Sequence, residues 1–177
     1  MLHETNEERK TTVVSTNIGF NNLSEEFNLS QELSTELSKA NFILLPKKKG
    51  TEFGNVFPEQ TIKFYNYLKN KELDHQIIVD IATSDEDYQE LELHSDVINI
   101  CEILVRDILL PVAVNLISSY LYDLLKSRNK DKADMKVDII INVEKDNSIT
   151  KKVTFEGSIE NFEKTMKALD IKNSSED

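Results

Sequence analysis

A group of five carboxylates near the middle of the chain has the residue types and spacing that could do chemistry. Carboxylates that converge on one point bind the divalent metal ions of nucleases and hydrolases. This group contains no lysine to organise a water molecule, and no glycine stands where an EF-hand loop requires its turn. In a chain with 32 acidic residues, a solvated acidic loop is the more common outcome. The five residues are Asp80, Asp85, Asp87, Glu90 and Glu92.

Two further segments contain residue types found in catalytic or phosphate-binding motifs. His94, Ser95 and Asp96 are the types of a nucleophilic triad, but residues adjacent in sequence do not form the hydrogen-bond relay that this chemistry requires. The lysines at 47–49 precede a glycine, but the order of Gly and Lys differs from that of a phosphate-binding loop. We therefore predict no catalytic residues, no cofactor and no metal site.

Charge and cysteine content argue against several classes of partner and compartment. The formal net charge is −11 and the arginines are Arg9, Arg106 and Arg128, which disfavours direct binding to nucleic acid. The single cysteine, Cys101, cannot form a disulfide within the chain and indicates a reducing compartment. The first nine residues lack the apolar core of a signal peptide. We expect a cytoplasmic protein.

The apolar segment 97–125 must be enclosed by protein or lipid, because its apolar residues occupy every side of a helical wheel. Its charge-free run, 108–122, has 15 residues, fewer than the roughly 20 that span a membrane. We predict a buried core helix over 96–126 that Asp96 caps and Pro111 kinks. A helix that binds a partner is the alternative, and no membrane span is expected.

The segment that follows residue 40 predicts one strand–helix–strand unit. Phe42–Leu45 is an apolar strand, and Phe57–Pro58 opens a helix with proline in its first turn. A second buried strand is predicted over 75–81. Acidic and apolar residues alternate over 88–93, which predicts a strand exposed on one face. The residues of the helix expected to face inward are Ile62, Tyr65 and Leu68.

The C-terminal part of the chain has the clearest strand pattern. Apolar and polar residues alternate over 137–143 and again over 149–155, which predicts an antiparallel hairpin with one apolar face. A helix over 159–169 can cover that face. The fold predicted is therefore α+β: a small mixed sheet packed on a long Pro-kinked helix, a C-terminal hairpin followed by a helix, and a mobile N-terminal arm.

We interpret residues 1–39, rich in Glu, Ser, Asn and Thr, as this arm, attached to an α+β domain over 40–170 and followed by a disordered tail over 171–177. Asn28 followed by Gln31 predicts the start of a short helix in the arm. Leucines at every fourth position give the helix an apolar stripe that packs on the domain or binds a partner. We expect the domain to fold without the arm. The residues proposed to contact a partner are Leu29, Leu33, Leu37, Leu116 and Tyr120.

Three segments, 85–95, 110–123 and 153–163, resemble small accessory proteins associated with bacterial conflict or defence systems. The resemblance covers about residues 75–170 and leaves the arm out. It implies a bacterial, intracellular, multi-protein setting. It implies no catalytic residues for this chain.

These features favour a non-enzymatic adaptor or regulatory subunit that acts through contacts with a protein partner or with further copies of itself. The alternative is an acidic, antitoxin-like inhibitor that covers a basic target surface, because the charge of −11 would steer its association. A metal-dependent hydrolase is the third hypothesis.

Overall fold

A computed structural model describes residues 10–47, 55–92, 95–143 and 149–169, and it shows an α+β fold, as predicted. The strands are β1 (Lys10–Ser15), β2 (Phe42–Leu45), β3 (Phe57–Pro58), β4 (Val79–Ile81), β5 (Glu90–Leu91), β6 (Ile98–Asn99), β7 (Glu102–Arg106), β8 (Asp134–Asn142) and β9 (Thr150–Ser158). The helices are α1 (Leu23–Phe27), α2 (Gln31–Leu37), α3 (Thr61–Asn70), α4 (Glu72–His75), α5 (Leu110–Ser127) and α6 (Ile159–Ala168).

The main sheet is mixed, with strand order β1-β9-β8-β7-β2-β4, and β6 pairs with the first part of β8. β8 and β9 form the predicted antiparallel hairpin, and β1 extends it as an antiparallel outer strand. β7 lies parallel to β8 and antiparallel to β2. The predicted strand–helix–strand unit is confirmed, since β2 and β4 pair in parallel around α3. A separate ribbon of two parallel strands joins β3 and β5.

Both faces of the main sheet are covered with helices, and the alternation along β8 shows why. Val137, Ile139 and Ile141 point to one face, where they join the large core beneath α3, α5 and α6. Ile140 points to the other face and joins a smaller apolar cluster beneath α1 and α2. α6 follows the hairpin as predicted, and the Ser158 side chain caps it by accepting a hydrogen bond from the Asn161 N–H at 3.3 Å.

The predicted helix over 96–126 is wrong in its first half. The apolar residues of β7 form a central strand between β2 and β8, where a near-continuous apolar run is buried on both faces. Asp96 is exposed in the loop before β6 and caps no helix. A 3-10 turn, Asp107–Leu109, leads into α5, and Pro111 lies in its first turn. Proline there lacks an N–H that has no helical partner anyway, so it starts α5 instead of kinking it.

The apolar character of α5 also meets the length and composition of a membrane span. The stretch Asp107–Ser127 has a mean hydropathy of 1.6 over its most apolar window, and 56% of that window is buried within the protein. Core helices of soluble proteins have the same properties. In the structure, the inward face of α5 packs on α6 and on β7.

Three smaller predictions about the strand–helix–strand unit are corrected by the structure. Phe57–Pro58 is a short strand, because it pairs with β5, and α3 begins at Thr61. Leu68 faces inward as predicted, but its helical neighbour on the core side is Phe64, whereas Ile62 is exposed and Tyr65 is only half-buried. The strand predicted over 75–81 is shorter, because α4 extends to His75 and β4 begins at Val79.

The expectation of a mobile arm is wrong for residues 10–39. β1 pairs with β9 over six residues, and α1 and α2 cover the second face of the sheet. α2 begins after Ser30, whose side chain accepts a hydrogen bond from the Leu33 N–H at 3.2 Å, so Asn28 is not its cap. A short helix with one apolar stripe is unstable by itself and is held here by the sheet. Residues 1–9 and the predicted tail lie outside the described residues.

Candidate functional site

The five residues predicted to contact a partner all pack within the protein. Leu116 and Tyr120 lie in the large core with 2% and 5% of their surface exposed, so they leave no area for a partner. Leu37 is buried against the second face of the sheet, and Leu29 and Leu33 are half-buried beside it. The stripe therefore holds α2 on its own sheet, which was one of its two predicted roles.

Two acidic residues of the middle segment, Asp80 and Glu90, accept hydrogen bonds from backbone N–H groups, whereas Asp85, Asp87 and Glu92 are exposed. The Glu90 carboxylate accepts hydrogen bonds from the Gln60 N–H at 3.1 Å and from the Ile62 N–H at 3.2 Å, at the start of α3. It also accepts one from the Tyr88 hydroxyl at 2.5 Å. Within the described part of the chain, no group of three His, Cys, Asp or Glu side chains is placed to hold a metal ion.

The pKa values of this contact follow from its geometry. Burial raises the pKa of Glu90, but the hydrogen bonds from Tyr88 and the α3 backbone outweigh it, so the pKa lies below the ordinary 4.5. Burial and the Glu90 carboxylate together raise the pKa of Tyr88. Glu90 is therefore a negative charge fixed at the positive end of a helix, which is a structural role.

The other candidate motifs are not assembled into sites. His94 and the lysines at 48 and 49 lie outside the described residues. Ser95 and Asp96 are exposed, and the Ser95 hydroxyl accepts a hydrogen bond from the Val97 N–H at 3.1 Å. Lys47 forms an isolated backbone bridge with Val56.

One small cavity lies between the start of α3 and the end of α5, a place that the sequence did not indicate. It has a volume of about 40 Å³, room for very few water molecules, and its lining includes Cys101 and Tyr120. Burial raises the pKa of the Cys101 thiol and raises the pKa of Tyr120 to about 12. Both groups are therefore neutral at physiological pH, and a neutral, buried thiol is a poor nucleophile.

The two edges of the main sheet differ in the hydrogen-bond partners of their outward backbone groups. At the β4 edge, the Val79 N–H donates to the Glu72 carboxylate at 2.9 Å and the Ile81 N–H donates to the Asp80 carboxylate at 2.8 Å. Burial raises the pKa of Glu72, but the Val79 N–H and the Lys69 ammonium outweigh it and lower the pKa. Carboxylates therefore occupy the donors through which another strand would pair with β4.

At the β1 edge, no carboxylate of the described residues accepts a hydrogen bond from the outward backbone groups. The Thr16 N–H donates to the Thr150 carbonyl at 3.1 Å, in register with the β1–β9 ladder. In an antiparallel ladder the bonded residues alternate, so the even-numbered residues of β1 pair with β9. The odd-numbered residues direct their N–H and C=O groups away from β9, and β1 is the last strand of the described sheet on that side. These outward residues are Thr11, Val13 and Ser15.

The side chains along this edge also leave it open. Residues 11–15 contain no charge, no proline and no glycine, and the Val14 side chain is 51% exposed. Sheet edges that avoid pairing with other chains are short or carry charges, prolines or bulges. The sequence signal for this edge is the β-branched run 11–14, which is typical of a strand.

Comparison with known proteins gives no assignment. No protein family, curated protein or solved structure matches the chain significantly. The resemblance to accessory proteins of defence systems therefore stays a prediction, and the geometry of the chain is the basis for a functional proposal.

Proposed function

We propose that this protein is a non-enzymatic adaptor or regulatory subunit that acts through protein–protein contacts, and that it receives an extended strand at the β1 edge. The observation that carries the proposal is the contrast between the edges: carboxylates cover the outward N–H groups of β4, whereas Thr11, Val13 and Ser15 direct theirs outward along a neutral strand. Strand addition to an exposed edge is a common mode of peptide recognition.

The geometry of the edge sets the strength of such a contact. An antiparallel strand that pairs with the three outward residues forms about six main-chain hydrogen bonds. Each contributes a net free energy of roughly 0.5–1.5 kcal/mol, from which the loss of freedom on association is subtracted. Affinity is therefore modest, and the side chains beside Val14 add specificity. A cytoplasmic, multi-protein setting suits a subunit that exchanges partners in this way.

Displayed peptides of six to eight residues provide the test. We expect the wild-type protein to select peptides with β-branched residues, and Val13→Pro to lose them, because this substitution removes an outward N–H that β9 does not use. Val13→Ala is the matched control, since it keeps the N–H and should keep binding. A thermal melt verifies that each variant is folded. If no peptide is selected, or if Val13→Pro binds as the wild type does, the proposal is wrong.

The acidic inhibitor remains the second candidate because the loop around β5 is exposed and negative. Asp85, Glu86, Asp87 and Glu92 are all exposed there. Association through these carboxylates would weaken strongly with added salt, whereas pairing along an uncharged strand would not. The salt dependence of partner binding therefore separates the two functions.

A further inference from the structure

We infer that the strand received at the β1 edge is β1 of a second copy of this chain, an inference that rests on the proposed function. Two copies related by a two-fold axis perpendicular to the sheet pair their β1 strands antiparallel. Residues directly opposite each other then have side chains on the same face, so their numbers are both odd or both even. Since the outward residues are odd-numbered, the symmetric pairing is compatible with the groups that β1 offers.

One register uses all three outward residues. With Val13 on the two-fold axis, Thr11 of each copy lies opposite Ser15 of the other, and Val13 lies opposite Val13. The alternative register, with Thr12 on the axis, pairs Thr11 with Val13 and leaves Ser15 opposite Arg9, outside the described strand. The chain thus carries a self-complementary set of donors and acceptors over residues 11–15.

The side chains of the centred register are also compatible. Thr12 of one copy lies beside Val14 of the other, which covers the half-exposed Val14 side chain. Lys10 lies opposite Thr16. The Lys151 ammonium donates a hydrogen bond to the Ser15 hydroxyl at 3.1 Å, and the two Ser15 residues lie roughly 13 Å apart along the strand, so no like charges meet across the axis. In a chain with a net charge of −11, a neutral strip is the place where two copies approach with the least repulsion.

The result is one sheet that continues through two copies of the protein. A pair of six-residue strands buries less area than a standard stable interface. We therefore expect a dimer that forms at high protein concentration and dissociates on dilution. A peptide and a second copy would then compete for the same β1 edge.

Single cysteines introduced on β1 test the register in the full chain. Native Cys101 is buried, so the wild type provides the background level of cross-linking. Val13→Cys should form a disulfide with its own copy, because opposite residues of a bonded antiparallel pair lie about 5.5 Å apart. Thr11→Cys alone and Ser15→Cys alone should stay at background, since each thiol lies roughly 13 Å along the strand from its symmetry mate. A mixture of these two variants should cross-link to each other.

Each outcome of this experiment supports or overturns the inference. The predicted pattern, together with a return to monomer in Val13→Pro by sizing at high concentration, supports it. Equal cross-linking at all three positions indicates random collision and overturns it. Absence of cross-linking while the wild type still selects peptides overturns the second copy as partner and leaves strand addition standing. If the protein neither cross-links nor selects a peptide, both this inference and the proposed function are wrong.

Discussion

The two edges of the main sheet are short strands, and their outward backbone donors have different partners. At β4, side chains from α4 and from the strand itself accept the outward N–H groups. At β1, the outward groups of Thr11, Val13 and Ser15 face the open side of the described sheet. Whether an edge can receive another strand therefore depends on whether carboxylates reach its outward N–H groups, as Glu72 and Asp80 do at β4.

Deletion of residues 1–39 is expected to have the largest effect on stability, because it removes β1 together with α1 and α2. The buried side chains of Leu23, Phe27 and Leu37 leave the second face of the sheet, and each contributes about 1.5–3 kcal/mol. Their sum is comparable with the whole stability of a domain, about 5–15 kcal/mol. We expect the truncated chain to unfold or aggregate, contrary to the expectation from sequence, as measured by circular dichroism and sizing.

A deletion of residues 1–9 alone is the control for this prediction. It keeps β1 and both helices in the chain, so it separates their contribution to the melting temperature from that of the first nine residues. A folded, cooperative melt from the chain that begins at residue 40 would show that the second face does not need its helices.

Two proline substitutions on adjacent residues of β1 separate its inner and outer sides. The Val14 N–H points to β9, so Val14→Pro leaves the Lys152 carbonyl unpaired and should lower the free energy of unfolding by about 1–3 kcal/mol. Val13→Pro removes an outward N–H, but the Val13 side chain also packs against the large core, so its effect is compared with that of Val13→Ala, from which it should differ little. Denaturant titration of both variants measures the difference. If Val13→Pro loses as much stability relative to Val13→Ala as Val14→Pro loses relative to Val14→Ala, the alternation along β1 is not as described.

The C-terminal half of the fold could be predicted from sequence because its signals are local. Alternation over β8 and β9 depends on the two-residue period of a strand, and the structure confirms the hairpin. β7 could not be separated from α5 in the same way, because a strand buried on both faces lacks alternation and resembles a buried helix. Pro111 marked the boundary between them, since proline is favoured in the first turn of a helix.

The position of the candidate site depends on contacts that are distant in sequence. Val13 and Val14 are an apolar pair in a polar segment, and their strand forms only because β9 lies 138 to 140 positions later. The contact of Glu90 with α3 and that of Glu72 with β4 likewise join separate elements. Side-chain chemistry predicted a metal site or a solvated loop for the acidic residues; Asp85, Asp87 and Glu92 are exposed, as in a solvated loop, whereas Asp80 and Glu90 accept hydrogen bonds from backbone N–H groups that the sequence did not indicate.

Glu72 gives a smaller, pH-dependent test of the closed edge. Its lowered pKa means that the carboxylate stabilises the folded state above its unfolded pKa, ordinarily 4.5, and that this contribution is lost as pH falls through the folded pKa. We expect Glu72→Gln to lower the free energy of unfolding at pH 7 by about 1 kcal/mol. The difference from wild type should shrink as the pH falls below 4.5 and through the lowered folded-state pKa of Glu72.

Urea titrations from pH 7 to pH 3 measure this dependence. Asp74→Asn is the matched control, because Asp74 lies exposed on the same short helix and donates or accepts nothing at the β4 edge among the described contacts. A Glu72→Gln deficit that stays constant at every pH would show that the carboxylate charge does not hold the Val79 N–H.

The smallest expected effect is that of salt on association at the β1 edge. Charges separated by more than about 8–10 Å are largely screened at 0.1–0.15 M salt, so an interaction between charged surfaces weakens as sodium chloride is raised. Residues 11–15 carry no charge, and main-chain hydrogen bonds do not depend on screening. We expect the affinity of a selected uncharged peptide to change by less than about twofold between 0.05 and 0.5 M salt, whereas self-association should strengthen with salt, because salt screens the repulsion between two copies of net charge −11. Isothermal titration at both concentrations measures it, and a loss of tenfold or more would shift the contact from the neutral edge to the acidic loop around β5.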